Sequence, residues 1–222
     1  MGTGEAHEDE PLSAGAFATW LSDMEAALRR ERGSEVPCDG CTACCTSSQF
    51  VHIEPDETGA LAHIPAELQF PAPRLPAGNV LLGYDEDGRC PMLIDGTCSI
   101  YEHRPRACRA YDCRVFPAAG VEPDAEAQPA IARRVRRWRF EHPTEADEVL
   151  HEAVRAAARF VRERRDLLPE GAVPPNAASH AVLAIAIHAA FLDGTEPSLD
   201  EVRVLLGRRR GAVSETGAPP GR

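Results

Sequence analysis

Apolar positions repeat at helical spacing near the start of the chain. Phe17, Trp20, Leu21, Met24 and Leu28 fall at three- and four-residue steps, which builds one apolar stripe along a helix. Ser13 can cap it and Gly33 can stop it, so the pattern predicts a helix from Ser13 to about Arg32, with Trp20 and Met24 in a core. The texture then changes. Gln49 to Ile53 alternates and ends near Pro55, which reads as a short strand. A short helix is expected over Asp56 to His63, and a surface wrap over the proline-rich stretch 64–78. Val80 to Tyr84 reads as a second strand. Asp85 to Gly88 then makes a turn, which suits a hairpin reaching Cys90. Cys90 to Cys98 suits a small hairpin or knuckle, Ile100 to Arg104 a helical turn, and Pro105 the start of a short helix carrying Cys108.

After Cys113 the pattern is helical, with helices expected over 125–141, 145–168, 178–193 and 199–209. Thr144 with Asp147 and Ser198 with Glu201 look like capping boxes. Gly194 and Gly211 are natural stops. Ile131, Val135 and Trp138 are spaced as a core stripe, which puts most of Arg133, Arg134, Arg136, Arg137 and Arg139 on the wet face. His180 and His188 lie about 80° apart around an apolar helix and suit core or groove positions. The expected fold is mainly α: an α+β chain with a small, loop-dominated, cysteine-rich module carrying short strands, and a C-terminal helical bundle. The organisation expected is a disordered 1–12, an N-terminal helix plus cysteine module over 13–116, a helical region packing on it over 117–211, and a disordered tail over 212–222.

The chain has 222 residues and a net charge of -11. That length can bury a core without cysteine staples. The charge argues against general binding to nucleic acid or an anionic membrane. Every basic residue is arginine, which reads as codon bias. The acidic, polar start lacks the marks of a secretory signal. The longest mainly apolar run, Ala181 to Leu192, is too short to span a membrane, which needs about 20 residues. A cytoplasmic protein is therefore expected, and in a reducing compartment cysteines serve as metal ligands or redox thiols more often than as disulfides.

All eight cysteines lie between residues 38 and 113. Cys38, Cys41, Cys44 and Cys45 form a C-x2-C-x2-C-C run, and Gly40 relieves its first turn. Cys90, Cys98, Cys108 and Cys113 supply the second half. Thiolates are the soft ligands that zinc and iron–sulfur clusters select, and a C-x2-C turn places two sulfurs about 4 Å apart, close enough for one tetrahedral ion. Eight thiols allow one four-ligand site, two such sites or a polynuclear cluster, and the spacing does not partition them. Arg104, Arg106, Arg109 and Arg114 outnumber Glu102 and Asp112 here. They can balance the charge of a thiolate site or simply face water. His52, His63 and His103 also lie in the window, but the cysteines make better candidates.

The ordered run of Cys38-x2-Cys41-x2-Cys44-Cys45, Cys90-Pro91-x-Leu93, Gly96-x-Cys98-x-Ile100-Tyr101 and Arg104-Pro105-x2-Cys108-Arg109 resembles the YkgJ-type cysteine-cluster family over about 38–116. The family is also described as the CxxCxxCC zinc- or iron-chelating domain. Met92 stands where an aromatic residue is usual, and the match is looser from Ala110 to Cys113. The resemblance implies metal chelation. It also raises a metal-cluster-dependent enzyme of protein-methylating or redox type, since a flagellin lysine N-methylase looks similar in its cysteine module.

The leading expectation is a metal-binding protein holding zinc or an iron–sulfur cluster through these eight cysteines, with the metal ion as its partner and no protein partner identified. The enzyme reading lacks a G-x-G-x-x-G, P-loop, H-E-x-x-H or nucleophile elbow. A thiol-redox role lacks the βαβ context of a thioredoxin-like site. Nucleic-acid binding through the arginines around Trp138 is opposed by the core stripe and the net charge.

Overall fold

The computed structural model describes residues 10–34, 36 and 40–215, with side chains up to residue 207. Its elements run β1 (Leu12–Ala16), α1 (Phe17–Leu28), β2 (Val51–Ile53), α2 (Thr58–His63), β3 (Gln69–Pro71), β4 (Val80–Leu82), β5 (Leu93–Ile94), β6 (Thr97–Cys98), α3 (Arg106–Ala110), α4 (Val115–Ala119), α5 (Pro129–Arg137), β7 (Trp138–Glu141), α6 (Glu145–Glu163), α7 (Ala177–Ile187) and α8 (Leu199–Glu215). The chain is mixed α+β, with helices predominating over a few short strands. It divides into two compact units. The first holds Ser22–Cys113, Pro123–Trp138 and the described residues up to Pro11. The second holds Leu12–Leu21, Arg114–Glu122 and the chain from Arg139 on.

In the first unit, β2, β4 and β3 form an antiparallel sheet in that order, with Val51 opposite Leu82 and Gln69 also opposite Leu82. The stretch expected to wrap the surface thus supplies an edge strand, where Pro71 costs no ladder bond. β4 is central and does not continue into a hairpin toward Cys90. The turn after it does form: the Asp85 carboxylate accepts from the amides of Asp87 and Arg89. Inward residues Ile53 and Leu82 meet Ala60, Ile64, Met92 and Ile100 in one core. β5 and β6 make the small hairpin, with Leu93 opposite Cys98. Its two-residue loop has positive φ at Asp95 (48°) and Gly96 (76°); this is the geometry that Asp-Gly favours in tight hairpins. α3 begins directly after Pro105, as expected. α5 buries Ile131, Ala132 and Val135.

The second unit corrects two sequence expectations. Residues 12–16 are not helical. They form β1, which pairs with β7, and Gly15 takes φ of 84°, outside the right-handed helical region. Ser13 does not cap the helix; its hydroxyl donates to Glu141 at 2.6 Å. The first turn of α1 is instead served by Asp147, which accepts from the Ala18 amide at 2.8 Å. Likewise the helix expected over 125–141 stops at Arg137. Trp138-Arg139-Phe140-Glu141 alternates buried and exposed positions, a strand's period, and becomes β7.

The bundle of this unit is α4, α6 and α7 packed on one another. α6 starts at the expected capping box of Thr144 and Asp147. It buries Ala153, Val154, Ala157, Ala158, Phe160 and Val161, and its alanines let neighbouring helices approach. Burying Phe160 fully contributes about 1.5–3 kcal/mol, and its ring meets Phe191 edge-on at 5.6 Å. α7 is apolar nearly all round and closes with a 3₁₀ turn, His188–Phe191, before Gly194. His188 is buried, with Nδ1 donating to the Ile185 carbonyl at 2.6 Å. Ser198 and Glu201 cap α8 reciprocally, and α8 runs past Gly211, where the sequence predicts a stop. No helix among the described residues is long and apolar enough to cross a membrane.

Candidate metal centre

The cysteine segments meet within the first unit. The loop after Cys38 turns at Gly40, whose φ of 73° suits glycine. A 3₁₀ turn, Cys44–Thr46, follows. It is held by side-chain hydroxyls: Thr46 donates to the Thr42 carbonyl at 3.1 Å and Ser47 to that of Ala43 at 2.6 Å. Two backbone bonds then lay this loop against the second cysteine segment. The Cys90 amide donates to the Cys45 carbonyl at 2.7 Å, and the Ser48 amide to that of Gly88 at 2.9 Å. The β5–β6 hairpin brings Cys98 in, and both Cys90 and Cys98 pack against the apolar core.

Cys108 arrives on α3, and a buried carboxylate sets the start of that helix. Glu57 accepts the Arg106 amide on one oxygen and the Glu54 amide, at 2.9 Å, on the other. The Arg106 guanidinium reaches Glu54 and Asp56, and Arg30 grips Glu54 with two nitrogens at 2.9 and 2.8 Å. Glu57 and these ion pairs were not legible as parts of the site, because they join positions from 24 to 52 residues apart.

The thiols feel one another. Cys44 is held low, at about 7, because Cys45 donates to its sulfur and backbone amides also point at it, with Arg104 adding positive charge. Cys45 is pushed up for the complementary reason: its proton is held by Cys44, and it is also buried among the charges of Cys44, Cys90 and Cys108. Burial pushes Cys108 up to about 12, helped by Cys90, Cys44 and Cys98. Burial also raises Cys90, with Cys98 and Cys44 contributing. Cys44, Cys45, Cys90, Cys98 and Cys108 therefore form one electrostatic group, short of positive charge. Arg104, stacked 3.5 Å above the Tyr101 ring, is a cation that opposes that build-up. Arg106 is instead committed to carboxylates.

The other expected ligands sit differently. Cys41 lines a cleft with arginines of α5. Cys113 receives the indole N–H of Trp138 at 3.1 Å. Tyr111 is pushed up by burial and by the charges of Cys113 and Cys44. Cys38 lies outside the described residues. The seven described cysteines are not in disulfides. The histidines of the window have other partners: His52 bonds Asn79 at 2.9 Å, and His63 bonds the Gly59 carbonyl and stacks on His103 at 3.7 Å.

Among the described residues, no group of three or more His, Cys, Asp or Glu side chains is already arranged to hold a metal ion. The fit lies in the donor set: soft thiols, of which Cys45, Cys90 and Cys108 are disfavoured as anions by burial and by their neighbours, a cost that a thiophilic cation would relieve. Residues 37–131 match the model of a family described as "CxxCxxCC: Putative zinc- or iron-chelating domain". No curated protein and no solved structure matches the chain.

Proposed function

Because residues 37–131 match the CxxCxxCC family, we propose that this chain is a metal-binding protein that chelates zinc or iron, the iron as an ion or an iron–sulfur cluster, through its cysteine module. The observation that carries this is the meeting of the cysteine segments: the Cys90 amide is bonded to the Cys45 carbonyl at 2.7 Å, Cys98 lies on the adjoining hairpin, and Cys90 and Cys108 are both pushed up by burial and neighbouring thiols. Ligands are drawn from Cys44, Cys45, Cys90, Cys98 and Cys108, with Cys38, Cys41 and Cys113 as the remaining candidates. When bound, the metal neutralises several thiolates at once, and a cluster would add electron transfer.

The chain's own residues do the rest. Cys44, held at about 7, presents a thiolate near neutral pH, which suits it to make the first bond. The backbone ties of Cys90 to Cys45 and the hairpin bearing Cys98 hold further donors nearby. Glu57 fixes the start of α3, and thereby Cys108. Metal binding then contributes directly to the folding free energy of the module. Intact thiols suit the cytoplasm.

Anaerobic purification with zinc, iron and acid-labile sulfide measured per chain tests the reading. Stoichiometric zinc in colourless protein, or matched iron and sulfide in brown protein, supports it and chooses the metal. Neither above background would overturn it and leave thiol redox at Cys44 and Cys45 as the better account. A cluster-dependent enzyme becomes the next question only after the iron outcome.

A further inference from the structure

Beside the Cys44–Cys45 turn, a cleft of about 360 Å³ lies between the first cysteine loop and α5. One wall is the loop, with Cys41, Thr42 and Thr46; the other is α5, with Arg133, Arg134 and Arg137. Positions 133 and 137 are one helical turn apart, and 134 flanks both, so three guanidiniums share one side of the helix. No acidic side chain lines the cleft among the described residues.

The protein carries 35 acidic and 24 basic side chains, and several guanidiniums of this unit are matched to carboxylates: Arg29 to Glu31, Arg30 to Glu54, Arg32 to Asp23, Arg106 to Glu54 and Asp56. Among the described residues Arg133 has no carboxylate partner. Arg134 is steadied over the Trp138 ring at 4.7 Å, and Arg137 donates through Nε to the Glu10 carbonyl at 2.8 Å. The Arg137 bond engages Nε alone, so Arg137 and Arg133 have N–H groups to offer a ligand. Their like charges, one helical turn apart on one wall, repel, and an anion placed between them removes that cost.

We propose that this cleft binds a small, multiply charged oxyanion of the phosphate class. Guanidinium forks match the oxygens of a phosphate group in pairs, and Thr42 stands in the opposite wall. The volume suits a diphosphate or a phosphate ester better than a lone ion, since ligand sites start at about 300 Å³. The inference does not rest on the metal reading, because none of the three arginines is a metal donor.

The test uses the full-length protein as purified, titrated with inorganic pyrophosphate in a calorimeter at low ionic strength. Saturable binding at one site per chain is expected. Arg133→Ala should weaken it by about tenfold or more, as expected for loss of a charge-assisted contact, and Arg133→Lys should fall between, keeping the charge but losing the fork. Arg136→Ala makes the same charge change on the same helix outside the lining, and should stay within about twofold. Absence of saturable binding would overturn the proposal, as would equal weakening by Arg133→Ala and Arg136→Ala. So would tight, steeply salt-dependent binding of a single-stranded oligonucleotide that pyrophosphate does not displace, which would mark a nucleic-acid surface instead. Metal content and melting temperature are measured on every variant. Unchanged metal with lost pyrophosphate binding separates this site from the thiol cluster.

Discussion

The indole Nε1–H of Trp138 donates to Sγ of Cys113 at 3.1 Å, joining the last cysteine of the window to the residue that ends α5. Sequence spacing places Trp138 in a core stripe, and it is buried there. Its polar atom has a second task that spacing does not reveal: a buried indole N–H needs an acceptor, and the sulfur provides one. In a double-mutant cycle of Trp138→Phe and Cys113→Ala, urea denaturation should give a coupling of about 0.5–1.5 kcal/mol. Additive effects would show that the contact contributes nothing to stability.

Glu57 should govern how well Cys108 is placed. Glu57→Ala leaves the Arg106 amide without its buried acceptor and should cost about 1–3 kcal/mol, together with a fall in metal per chain. Glu57→Gln keeps an oxygen acceptor and should recover most of both. Full metal content in Glu57→Ala would separate α3 from the site.

Acid should weaken the second unit through His151. This buried ring stacks 4.1 Å from Phe17. Its Nε2 donates to the Pro117 carbonyl at 3.4 Å, which leaves Nδ1 to accept from Nε2 of His142 at 2.7 Å. Burial, with Arg155 nearby, lowers its pKa from an ordinary 6.5 to about 4. A neutral imidazole is therefore favoured by the fold, and the unfolded chain binds more protons between those values. The stabilisation is complete above pH 6.5 and is lost as pH falls toward 4. A melting-temperature profile over that range should slope down with acid in the wild type and be flatter in His151→Gln. Parallel slopes would exclude His151 as the cause.

Metal removal should loosen the first unit more than the second. Chelator-treated protein should melt at lower temperature, and its thiols should become open to alkylation. Among the coupled thiols Cys44 should react first, since its thiolate forms at about 7, whereas burial and neighbouring thiols hold Cys90 and Cys108 high. Mass spectrometry of partly alkylated peptides reads the order directly. Equal labelling with and without chelator would mean that no metal protects these sulfurs.

The sequence by itself determined what is local. Hydroxyl and carboxylate spacing marked the capping boxes at Thr144 and Ser198, the stretch Cys90 to Cys98 read as a small hairpin or knuckle, Pro105 marked the start of α3, and the packed cysteines marked the candidate chemistry. Each depends on residues within a few positions, where backbone geometry leaves few choices. Tertiary structure decided the rest. Residues 12–16 and 138–141 became paired strands because each supplies the other's hydrogen bonds, overriding the helical spacing around them. Residues 69–71 became a strand only because β4 was there to pair with. The meeting of Cys44 and Cys45 with Cys90, Cys98 and Cys108, the bond from Trp138 to Cys113 and the carboxylate of Glu57 under α3 all join residues 25 or more positions apart. Such contacts form when a shared core folds the segments together, and no local pattern encodes them.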